Sequence, residues 1–80
     1  MMLSEPMTLY KLMNLYMLRQ VSFPLTNAQL TDFFLQHEYT SYFTLQQALK
    51  ELQESGLVRT ESTHNTTRYM ITKEGEETLS

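Results

Sequence analysis

Leu45, Leu49 and Leu52, with Ala48, recur at the spacing of one helix face. Gly56 ends that run, being able to take the positive φ of a helix C′ position. Apolar and polar residues then alternate from Leu57 to Thr63 and again from Arg68 to Thr72, around a polar His64-Asn65-Thr66-Thr67 turn. Tyr69 and Ile71 fall on one side of the second strand and Met70 on the other. Thr72 caps a last helix, with Glu74, Glu76 and Glu77 near the positive end of its dipole.

The first half of the chain reads as two helices. The first is expected from about Pro6 to Gln20, capped by Ser4. Leu9, Leu12, Met13, Tyr16 and Met17 form one apolar stripe, and Met7, Tyr10, Leu15 and Leu18 add apolar side chains around much of the rest. A helix apolar nearly all round is a buried one. Its second side is either Met-rich core filler with some exposed surface or a subunit interface. Val21 to Leu25 forms a turn, with room for a short extra strand near Leu25. Thr26 and Gln29 form a capping box for a second helix ending near Gln36, and Leu25 and Leu30 are placed as a staple. Residues His37-Glu38-Tyr39-Thr40 turn the chain into a third helix, expected from Tyr42 to Ser55 and capped by Ser41 or, one turn later, by a Thr44–Gln47 box.

The order α-α-α-β-β-α describes one domain over residues 1–80. It is mainly α with a two- or three-stranded β wing, the layout of a winged helix-turn-helix. The expected core takes Leu9, Leu12, Met13 and Tyr16 from the first helix, with Leu30, Phe33 and Phe34 from the second. Leu45, Leu49, Leu52, Leu57, Tyr69, Ile71 and Leu79 complete it. A chain of 80 residues has a thin core, and without cysteine no disulfide reinforces it, so oligomerisation is the remaining means. The most apolar stretch, Met7 to Leu18, is broken by Lys11 and Asn14 and is too short to span a membrane. It also lacks the flanks of a signal peptide.

Catalysis finds little support. His37 and His64 have no ligand-spaced partners and read as surface histidines, and no glycine-rich phosphate loop is present. No metal or cofactor is expected. Asn65-Thr66-Thr67 matches a glycosylation acceptor but reads as part of the hairpin turn.

Reading DNA needs a projecting helix, side chains that pair with base edges, and groups that grip phosphate. The third helix offers Tyr42, Thr44, Gln46, Gln47 and Lys50, and the wing offers Arg59, His64, Asn65 and Arg68. The net charge of −3 opposes strong nonspecific binding. Its distribution softens the objection. Over residues 41–73, Lys50, Arg59, Arg68 and Lys73 against Glu51, Glu54 and Glu61 leave +1, while residues 74–80 carry −3.

The segment Thr44-Leu45-x-x-Ala48-Leu49-Lys50-x-Leu52-x-x-x-Gly56-Leu57-Val58, followed by Tyr69-x-Ile71-Thr72-x-x-Gly75-x-x-x-Leu79, resembles the PadR/MarR-type winged-helix transcriptional regulators. The opening, with Tyr10-Lys11-Leu12, Phe23-Pro24-Leu25-Thr26-Asn27 and Tyr39-Thr40-x-Tyr42-Phe43-Thr44-Leu45-Gln46-Gln47, is similar to a bacterial domain-of-unknown-function family of that superfamily. The resemblance implies a homodimeric cytoplasmic regulator that binds double-stranded DNA. The recognition helix would be about 42–55 and the wing about 57–72. Regulators of that kind continue into helices that complete the dimer and sense a ligand. Here the first helix, through Met7, Tyr10, Leu15 and Leu18, and the C-terminal helix are the expected dimer contacts. The rival expectation is a protein-docking module without DNA binding, since winged helices also serve that purpose.

Overall fold

The computed structural model describes residues 4–37 and 41–80. The elements run α1 (Ser4–Gln20), β1 (Leu25–Thr26), α2 (Asn27–Gln36), α3 (Tyr42–Glu54), β2 (Val58–Thr63), β3 (Thr66–Ile71) and α4 (Lys73–Leu79). This is the winged helix-turn-helix layout, with the wing completed by β1. The strands form one antiparallel sheet in the order β1-β3-β2. Val58 faces Ile71 and Thr60 faces Tyr69 across the hairpin, while Leu25 faces Tyr69 from the other edge. The turn between His37 and Ser41 lies largely outside the described residues.

Local chemistry sets most of the element ends. Thr26 accepts from the Gln29 N–H at 3.0 Å and the Gln29 side chain returns to the Thr26 N–H at 2.9 Å, so the capping box of α2 is complete. Ser41, rather than a Thr44–Gln47 box, caps α3. At the end of α3 the Leu57 N–H reaches back to the Leu52 carbonyl and the Gly56 N–H to that of Gln53. These paired bonds close a Schellman turn, and they require the left-handed φ of 80° that Gly56 adopts. Two corrections are small. α1 begins at Ser4, which is therefore a helical residue and not the cap. The hairpin tip is only His64-Asn65, with His64 at φ 54°.

The start of α4 is sewn to that same turn. The Thr72 hydroxyl donates to the Gly56 carbonyl at 2.7 Å and accepts from the Gly75 N–H at 3.1 Å. Gly75 is buried, and a Cβ there would come within 2.3 Å of the Leu57 carbonyl oxygen. Only glycine allows α4 to approach so closely.

The core gathers Leu15 and Leu18 from α1 with Leu25, Leu30, Phe34, Leu45, Leu49, Leu52, Val58 and Tyr69. The expected stripe on α1 is buried only in part: Met13 and Met17 pack against the core, the rest does not. Leu9, Leu12 and Tyr16 are exposed, while Leu15 and Leu18, assigned above to a dimer interface, are buried at 1% and 3% exposure. The reason lies in the polar positions. α1 turns Asn14 inward and pairs Lys11 with Glu51 of α3 at 2.6 Å. Its buried face thus includes polar residues that make it look like the outer one.

Candidate nucleic-acid interface

The buried residues of α3 are Leu45, Ala48, Leu49 and Leu52. At 100° per residue, the opposite side of the helix carries Phe43, Gln47 and Lys50, all exposed. Lys50 extends into solvent at mid-helix. The Gln47 amide donates to Glu51 Oε2 at 2.7 Å, within its own helix. The other oxygen of Glu51 meets the Lys11 ammonium. The Gln47 bond, and after it Lys11, hold the Glu51 carboxyl below the usual carboxylate range.

Gln46 does not belong to this surface. Its amide forms a reciprocal pair with that of Asn27, at 2.7 and 3.0 Å, and also donates to Thr31 at 3.1 Å. Asn27 donates further to the Tyr69 hydroxyl at 3.1 Å. These bonds tie the first turn of α2 to α3 and to the central strand, so Gln46 fixes the angle between the two helices. Asn27, Thr31 and the Tyr69 hydroxyl went unnoticed in the sequence. Their partners lie 15 to 42 positions away, and no local pattern announces them. Thr44 is likewise drawn inward: half-buried, it accepts from the Ser41 hydroxyl at 3.0 Å within the cap.

Tyr42 is half-exposed and meets Phe43 edge-on, with ring centroids 5.8 Å apart. Beside it opens a groove of about 640 Å³, lined by Asn27, Thr31, Asp32, Tyr42, Asn65 and Arg68 among others. It joins the start of α2, the start of α3 and the tip of the wing. Arg68 reaches Thr63 at 3.4 Å and stands across from Glu61, while Arg59 lies along the outer side of the hairpin against Met70 Sδ. His64 and Asn65 are exposed at the tip. The structure thus brings Tyr42 together with Asn65 and Arg68 at one groove, leaves Gln47 and Lys50 on the exposed side of α3 and Arg59 and His64 elsewhere on the hairpin, and withdraws Gln46 and Thr44. Among the described residues no group of three or more His, Asp or Glu is placed to hold a metal ion.

On the far side of α1 an apolar groove, also about 640 Å³, is lined by Leu12, Met13, Tyr16, Met17, Phe33 and Leu79 among others. It joins α1, α2 and α4. Of the residues expected at a dimer contact, Met7 and Tyr10 remain partly exposed, while Leu15 and Leu18 are withdrawn into the core. No described helix is long and apolar enough to cross a membrane.

Comparison with known families matches residues 10–80 to the domain of unknown function DUF4364, and the chain belongs to that family. Searches of curated proteins and of solved structures return no match.

Proposed function

We propose that this member of the DUF4364 family binds double-stranded DNA as a homodimer and regulates transcription, as do the PadR- and MarR-type regulators it resembles. One observation carries the reading. The outward side of α3 is left uncovered, with Gln47 and Lys50 on it, and a hairpin carrying Arg59 and Arg68 stands in the same sheet as the strand that fixes α2. Gln can pair with adenine at N6 and N7, Lys suits guanine or phosphate, and wing arginines suit backbone phosphate. The groove between α2 and the wing tip, lined by Arg68 as well as Asp32, gives a phosphate strand room to pass. The reading is of a binding protein rather than an enzyme.

The homodimer is proposed through Leu9, Leu12 and Tyr16 with the apolar groove of α1, α2 and α4, in place of Leu15 and Leu18. Two-fold symmetry would set two third helices about 34 Å apart, matching two half-sites one turn apart. Leu12→Lys is expected to give a monomer by sedimentation while leaving the fold intact, because Leu12 is 39% exposed.

A second reading, a protein-docking module, is favoured by the net charge of −3 and by the same apolar groove. Gel mobility of labelled genomic fragments at low salt separates the two. Retarded fragments at micromolar protein support DNA binding, and their absence supports docking.

A further inference from the structure

Phe43 is 82% exposed, more than any other large hydrophobic side chain among the described residues. It stands on the first turn of α3, in line with Gln47 and Lys50 at i+4 and i+7 and opposite the buried leucines. Tyr42 meets it edge-on, which supports the ring from one side. An aromatic ring held out into water at the leading end of a helix calls for an apolar partner. In the major groove the base edges offer one apolar feature, the C5-methyl of thymine.

We propose that Phe43 contacts a thymine methyl group in the major groove. The proposal rests on the reading of α3 as the DNA-contacting helix. Phe43 and Gln47 are separated by about 6 Å along the helix axis, which spans one to two base-pair steps of about 3.4 Å. The thymine therefore lies one or two steps from the adenine that Gln47 reads, on the side toward the N-terminus of α3.

The test starts from a randomised duplex library selected with the wild-type protein. The recovered duplex is resynthesised with deoxyuridine at each thymidine in turn, which deletes only the methyl group. One position in each half-site is expected to weaken binding by about fourfold on that change, the worth of one methyl taken from an apolar contact. Phe43→Ala should bind the dT and dU duplexes alike, and Phe43→Leu should keep part of the difference. Both variants fold, since the site is exposed. A wild type indifferent to every dT-to-dU change, or a Phe43→Ala variant that keeps the preference, overturns the thymine contact and leaves DNA reading by α3 standing. Recovery of no duplex at all overturns both.

Discussion

Replacing Asn14 by Leu should make this protein more stable. Asn14 is fully buried on the inner face of α1, one turn from Lys11 and next to Leu15. Its Nδ2 donates to the Tyr10 carbonyl at 2.8 Å, but its Oδ1 meets no hydrogen-bond donor among the described residues. A buried acceptor left unpaired costs about 1–3 kcal/mol. Leu branches at Cγ as Asn does, so it removes that acceptor while keeping the outline of the side chain. The lost Nδ2 bond is worth about 1 kcal/mol net and strands nothing, because the Tyr10 carbonyl keeps its helical partner, the Asn14 N–H. Crowding by the larger methyl groups costs about 1 kcal/mol more, and the added apolar burial returns a similar or larger amount. The balance is a gain of up to about 2 kcal/mol. For a domain of this size each kcal/mol moves Tm by roughly 4–8 °C. Urea unfolding followed by far-UV circular dichroism, at one fixed protein concentration, should show a higher midpoint with an unchanged m-value. A lower midpoint would refute the reasoning, since it would mean that Oδ1 is satisfied in solution and that Asn14 contributes to the fold.

The two adjacent glutamines should separate cleanly. Gln46→Ala is expected to cost about 1–3 kcal/mol of stability, because it removes two part-buried hydrogen bonds to Asn27 and one to Thr31 and leaves Asn27 only its Tyr69 and Thr31 partners. Gln47→Ala should leave the urea midpoint within about 0.5 kcal/mol of wild type and relax the base preference in a duplex selection; a matching loss of stability in both would refute the division. Arg68→Ala should weaken binding to all duplexes alike and lower the slope of log K against log salt by about one per protomer, while equal slopes would remove the wing from the interface. Glu51 has its carboxyl held down by Gln47 and Lys11, so its stabilising contribution is present above the unfolded carboxylate value of about 4.3 and is lost as pH falls through the lower folded value. Glu51→Gln should therefore flatten the acid side of a Tm-against-pH curve below about pH 5, and an unchanged acid limb would refute the pairing.

Apart from the Ser4 cap, most of what the chain announces locally it announces correctly. The Thr26–Gln29 box, the Ser41 cap, the Gly56 turn and the Thr72 cap each involve residues within five positions of one another. The rotation of α1 is a different matter. A helix apolar nearly all round gives no inward direction of its own. That direction depends on residues outside α1, such as Glu51, 40 positions on, which pairs with Lys11. Gln46 and Gln47 are one residue and 100° apart, so a helix shift of one position exchanges their roles. Only the distant Asn27 shows which of them turns inward. Gly75 stood out as part of a Thr-x-x-Gly pattern, but the reason for it is the carbonyl of Leu57 in another element. Phe43 was available to sequence reasoning and was missed. Its alignment with Gln47 and Lys50, opposite Leu45, Leu49 and Leu52, follows from helical spacing alone. A search for polar base-pairing groups passes over a ring.

α1 borders both of the faces proposed to bind partners. One side lines the apolar groove through Leu12 and Tyr16, and the other holds Glu51, which in turn holds Gln47. A subunit or other partner in the groove would therefore press on the helix that restrains Gln47, the side chain proposed to read a base. The size of such coupling is bounded by the link that carries it. The Lys11–Glu51 pair is partly exposed on both sides and screened by solvent, so it is a weak link. Through this link alone, association would alter the proposed DNA affinity by only a few-fold, roughly fivefold at most. Lys11→Met keeps the apolar stem and removes the charge, so its effect on duplex affinity should stay within that limit. In an anisotropy titration at a protein concentration that keeps the oligomeric state fixed, a change beyond it would mean that α1 and α3 move together as one body. In that case any cooperativity of the proposed dimer would come from displacement of α3; within the limit, it would come from the spacing of two half-sites held by a two-fold axis.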